Sequence, residues 1–167
     1  GEDVLDRALA GRPAPPDGRA VVADPHDPLL RGDRIDKAQR VIVHQPVCVT
    51  QPEDEANRLR GHARAVRRWA EAGADLVMGG HIHLPYVLAL HEAYPGLPRH
   101  AWAVQAGTAV SRRLRNGIDN SINLVRTGDA AQGRACAVER WDYHADTGEF
   151  SAVAVDRLSF DRNEHGG

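Results

Sequence analysis

The sequence predicts an α/β fold, a layered sandwich of mixed β-sheets flanked by helices, on three observations. Residues 40–79 spell out a strand–helix–strand unit, the stretch from residue 86 onward is rich in short β-type runs, and 167 residues suffice for one domain with a sizeable core. Hydrophobic residues at 42% and charged residues at 26% exclude a disordered or fibrous chain. Twenty-one basic residues against 23 acidic ones leave a net charge of −2, so the chain carries no strong nucleic-acid signal. Only Cys48 and Cys136 are present, which excludes a disulfide framework or zinc ribbon and suits a reducing compartment. No apolar run approaches the ~18 residues of a membrane-spanning helix. The first residues lack a signal-peptide pattern, so the reading is a cytoplasmic protein with no membrane partner.

Residues 1–39 are weakly specified. An amphipathic stretch over 4–9 is stopped by Pro13, Pro15 and Pro16, and Ala20-Val21-Val22-Ala23 is a short strand candidate. The main unit spans 40–159. It begins with the β-branched run Val41-Ile42-Val43, a buried strand ending at His44, where Pro46 breaks the ladder. The apolar stripe Leu59, Val66, Trp69 and Ala70 predicts a helix over 55–72, with Pro52 at its entrance, Gly73 past its end and Gly61 disturbing its first turns. Asp75-Leu76-Val77-Met78 is a second buried strand that runs into Gly79-Gly80-His81-Ile82-His83. Further strands are expected over 86–90, 101–105, 121–125, 135–141 and 150–158, followed by a polar tail over 160–167.

The chemistry centres on His81 and His83. Two histidines at i and i+2 on an extended segment face the same side, and the glycines before them admit a close approach. His44 ends the preceding strand, one helical crossover away. Parallel strands joined by such a crossover share a carboxyl edge, which is where ligands bind in open α/β sheets. His44, His81 and His83 are therefore expected to be neighbours and to ligate a divalent metal such as Mn, Fe or Zn.

The succession Val41-Ile42-Val43-His44-Gln45-Pro46, Gly79-Gly80-His81-Ile82-His83 and Ala106-Gly107-Thr108 resembles the C-terminal half of the calcineurin-like metallophosphoesterases. The resemblance covers about residues 40–159, including Asn120-Ser121-Ile122-Asn123 and Val138-Glu139-Arg140-Trp141. It implies two sheets packed between helices and a dinuclear metal centre at the strand ends. His44 and His81 would bind one metal and His83 the other. A metal-bound hydroxide would then hydrolyse a phosphomonoester or phosphodiester substrate. The family's N-terminal half also brings an Asp-x-His motif, a bridging Asp after Gly, and a Gly-Asn-His motif, and no Gly-Asn-His occurs in this sequence. Asp24-Pro25-His26 and Gly32-Asp33 have suitable letters but stand too close together to hold a helix and strand between them, and read as loop coincidences. The expectation is a partial family member with half of the metal site, little activity alone, and self-association through the sheet left uncovered.

Three other readings stay open: a non-catalytic metal-binding or interaction domain, a mononuclear three-His zinc hydrolase, and a structural domain whose histidines line a polar edge. Arg112 and Arg113, with Arg115, follow a strand and are candidates to attract the anionic substrate, against a solvated basic loop with Asp119 close by. Cys48 and Trp69, Trp102 and Trp141 read as packing residues, and His62, His91, His100, His144 and His165 as surface or structural ones.

Overall fold

The computed structural model describes residues 39–115, 117–127 and 135–160. The expectations for residues 1–38, including Asp24, His26 and Asp33, lie outside these, as do those for 161–167. Four strands form a mixed sheet in the order β1-β2-β4-β3: β1 Arg40–Ile42, β2 Leu76–Gly79, β3 Tyr86–Ala89 and β4 Trp102–Gln105. β2 runs parallel to β1 and β4, and β3 runs antiparallel to β4. Three longer strands, β5 Ser121–Thr127, β6 Ala135–His144 and β7 Glu149–Ser159, make a separate antiparallel meander.

Alternation along the short strands gives the mixed sheet two apolar faces. Val77 and Ala103 point to a cluster with Val43, Val47, Cys48, Val66, Trp69 and Leu90 on the side of helix α1 (His62–Glu71). Leu76 and Val104, with Met78 and Trp102, point the other way and pack on Cys136, Val138 and Leu158 of the meander. The result is three layers: helix, mixed sheet, antiparallel sheet. A general α/β class is therefore correct. Helices on both outer sides were expected, but among the described residues the outer face of the meander is bare, with Leu124, Val153 and Val155 exposed.

The single helix expected over 55–72 is instead two elements. Pro52–Asn57 is a 3-10 turn, the chain breaks, and α1 starts behind Gly61, whose φ of 73° only glycine adopts without cost. Leu59 lies in the break, yet its amide bonds to the Pro46 carbonyl at 2.8 Å and its side chain still reaches the core. α1 ends in a Schellman motif: the Gly73 amide bonds to the Ala70 carbonyl at 3.1 Å and the Ala74 amide to the Trp69 carbonyl at 2.9 Å, with Gly73 at φ 104°. Buried Asp75 then fixes the start of β2 by accepting bonds from the Gln39 amide (2.7 Å) and from Arg99 (3.1 Å).

Other strand boundaries differ by a few residues. β1 stops at Ile42, before Val43 and His44, and the strand expected to include Leu90 ends at Ala89 because Leu90 opens the short helix α2 (Leu90–Ala93). The meander strands run longer than expected because antiparallel pairing continues through their polar ends to His144 and Glu149. Phe160, placed in the polar tail by composition, is buried beside Leu158. No helix among the described residues is long and apolar enough to cross a membrane.

Candidate metal centre

Parallel pairing carries the carboxyl ends of β1, β2 and β4 to one edge of the sheet. Backbone bonds continue past those ends: Val43 amide to Met78 carbonyl at 2.9 Å, Gly80 amide to His44 carbonyl at 3.2 Å, Ala106 amide to Gly79 carbonyl at 2.8 Å. His44 is thus held against the loop that carries His81 and His83. The rings of His44 and His81 lie 4.6 Å apart, centre to centre, with their planes 61° apart, and both residues are exposed. The contact brings two potential metal-ligating side chains together at the solvent-exposed edge of the sheet.

The loop over residues 80–83 is not the extended segment expected from its sequence. β2 ends at Gly79, and His81 (φ 73°) and His83 (φ 58°) both sit in the left-handed region. For a residue with a Cβ this conformation costs roughly 1–2 kcal/mol, although histidine tolerates it better than most. Two such residues in four positions mark a loop shaped by its surroundings. His83 is instead bonded to the loop that follows β4. Its Nδ1 lies 3.0 Å from the Arg113 carbonyl oxygen, so Nδ1–H donates and Nε2 keeps the lone pair, as in metal-ligating histidines oriented by a carbonyl. Among the described residues no three His, Cys, Asp or Glu side chains gather closely enough to hold a single ion. Of the three expected ligands, His44 and His81 are in ring contact, and His83 is engaged by the Arg113 carbonyl.

Gln105 was not singled out from the sequence, and the motif residues Gly79, Asn120 and Asn123 act here as supports. Gln105 at the end of β4 is buried, and its Nε2 donates to the Gly80 carbonyl. Gly79 makes room for it, since a Cβ there would stand 2.6 Å from Gln105 Oε1. Asn123 donates to the Gln105 carbonyl at 3.1 Å, and Asn120 ties the loop after β4 by donating to the carbonyls of Thr108 (3.0 Å) and Ser111 (2.9 Å). The sequence placed Gln105 at a strand end, but its burial and its bond to the loop appear only in the structure.

Arg112 and Arg113 stand exposed on this loop, and the backbone of Arg113 meets His83. Arg115 is different: its guanidinium pairs with the buried carboxylate of Asp54 and is not a free substrate-facing cation. Cys48 is buried in the core on the α1 side of the sheet, where burial pushes its thiol up to about 11, and it packs there as a small hydrophobe. The other described histidines are engaged elsewhere: His62 with Tyr94 Oη at 2.7 Å, His91 stacked on His100 at 4.2 Å, and His144 with Ser151 Oγ at 2.7 Å. No protein-family model matches this chain, and no curated protein matches it in sequence.

Proposed function

We propose that the chain is a metal-dependent phosphoesterase-type domain, with His44 and His81 holding one divalent ion and His83 contributing to a second. The observation that carries this reading is the approach of the His44 and His81 rings at the carboxyl edge of two parallel strands, where α/β folds bind their ligands. The donor set fits a borderline divalent ion such as Zn, Mn or Fe. An ion bound there supplies Lewis acidity towards a phosphoryl oxygen of a phosphomonoester or phosphodiester.

The chain's own residues do the rest. His44 and His81 bind as neutral imidazoles from two strand ends. The Arg113 carbonyl holds the Nδ1 proton of His83 and so fixes which nitrogen is offered. Arg112 and Arg113 put positive charge on the neighbouring loop, which favours an approaching phosphate ester. Among the described residues no carboxylate joins the pair. That favours a second reading in which the domain binds an ion without appreciable turnover.

The test is zinc and manganese titration of the full chain, with elemental analysis, beside hydrolysis of bis(p-nitrophenyl) phosphate. Binding lost in His44→Ala and His81→Ala supports the site. Hydrolysis that depends on the same histidines establishes the phosphoesterase, binding without it leaves the second reading, and a chain that takes up no ion overturns both.

A further inference from the structure

Two side chains from outside brace the left-handed path of residues 80–83: Gln105, which donates to the Gly80 carbonyl, and Arg115, which reaches its centre. The Arg115 guanidinium reaches three segments: it bonds to Asp54 Oδ1, lies 3.4 Å from Gln51 Oε1, and donates to the Ile82 carbonyl at 3.3 Å. That carbonyl belongs to the residue between His81 and His83. We propose that Arg115, anchored by buried Asp54, is a positioning residue that sets this loop and keeps Nδ1 of His83 on the Arg113 carbonyl. The inference rests on His83 being a ligand, and it extends that reading by naming what orients it.

Three features support the assignment. Asp54 is only 2% exposed and its Oδ2 has no hydrogen-bond partner, so the ion pair with Arg115 at Oδ1, where Asn57 Nδ2 also donates at 3.5 Å, is the main offset to burial of the carboxylate. Arginine's planar fork can serve several acceptors at once, which an ammonium cannot do with the same geometry. Finally, Arg115 lies two residues from Arg113, and a backbone bridge to Ile118 closes the turn behind it. Moving Arg115 therefore displaces both contacts to the histidine loop, the one to Ile82 and the one to His83.

The experiment uses the full chain and needs no turnover. Ring ¹⁵N spectra of the metal-free protein, recorded where the imidazoles are neutral, report the His83 tautomer, and chelator competition reports zinc affinity. The wild type should show His83 mainly as the Nδ1–H tautomer. The double variant Arg115→Met/Asp54→Asn removes both charges, so no buried charge is stranded; it should switch His83 to mainly Nε2–H and weaken zinc about tenfold. Arg115→Lys keeps a cation beside Asp54 but loses the fork, so it should melt like wild type and still show the tautomer change; it decides the matter if the double variant does not fold. Unchanged tautomer and zinc affinity in a folded variant would overturn the inference. A tautomer switch in a protein whose wild type takes up no zinc would uphold the positioning role and remove the metal reading instead.

Discussion

The ring of His44 stands nearly edge-on to that of His81, 4.6 Å away, although the helix and its preceding turn separate the two residues in the chain. This contact joins the ends of two adjacent parallel strands, and the backbone bond from Gly80 to the His44 carbonyl locks it in place. Removing either ring should therefore cost as much zinc affinity as removing both. We expect His44→Ala and His81→Ala each to weaken zinc by roughly 100-fold or more, beyond the range of outer-sphere changes, with little added loss in the double variant. Independent, additive losses in chelator competition would mean that the rings do not share an ion.

Strain in the histidine loop gives a separate expectation. His81→Gly should raise metal-free stability by up to ~1 kcal/mol, because glycine adopts φ 73° freely, while zinc binding disappears. His81→Ala should lose zinc without that gain. Denaturant midpoints of the three proteins in excess chelator decide it.

Gly107 sits under the meander, where an added Cβ would meet Ser121 Oγ at 2.1 Å and the Pro85 ring at 3.4 Å. Gly107→Ala should cost about 1–3 kcal/mol through overpacking. Ser121→Ala should recover much of that loss, since this buried hydroxyl has no hydrogen-bond partner to give up. A double-mutant cycle on urea midpoints measures the recovery.

Alkaline pH should destabilise the domain through the buried thiol of Cys48 and the phenols packed around residues 47–48. Burial raises the Cys48 thiol from 9.0 to about 11, raises Tyr94 to about 12 and lifts Tyr86 well above the ordinary tyrosine range. The unfolded thiol loses its proton near 9.0 while the folded one keeps it, so the folded state binds more protons between the two values and stability falls as pH rises through that window. For Cys48 alone the loss approaches ~2–3 kcal/mol once pH exceeds about 11. Cys48→Ala should flatten this decline between pH 9 and 11 in urea titrations. An equally steep decline in that variant would assign it to other groups.

The strands around the site were legible because the β-branched run Val41-Ile42-Val43 and the short apolar run Leu76-Val77-Met78 have few other uses, and because a parallel crossover brings strand ends to one edge, although β1 is an edge strand with Ile42 exposed and not the buried strand expected. That reasoning placed His44 beside His81. For His83 the premise was wrong: i+2 spacing implies a shared face only on an extended backbone, and His81 and His83 have φ of 73° and 58°. The helix was misjudged at Arg58 to Gly61 because a periodic apolar stripe continues across a break when Leu59 packs from the turn. Asp54 and Arg115 could not be paired by inspection, as neither belongs to a motif and only the folded loops bring them together. The Arg113 carbonyl was invisible for a simpler reason: a backbone acceptor leaves no mark on the residue's identity.

The layering distributes the three tryptophans singly. Trp69 belongs to the helix, Trp102 to the mixed sheet and Trp141 to the meander, and the Trp102 indole donates to the Ser159 carbonyl at 3.0 Å across the two sheets. Each layer thus carries its own intrinsic fluorophore, and that of Trp102 is bonded across the seam between the sheets. Single-tryptophan proteins would turn this into a clock for assembly, recording whether the meander docks before, with or after the sheet that bears the histidines.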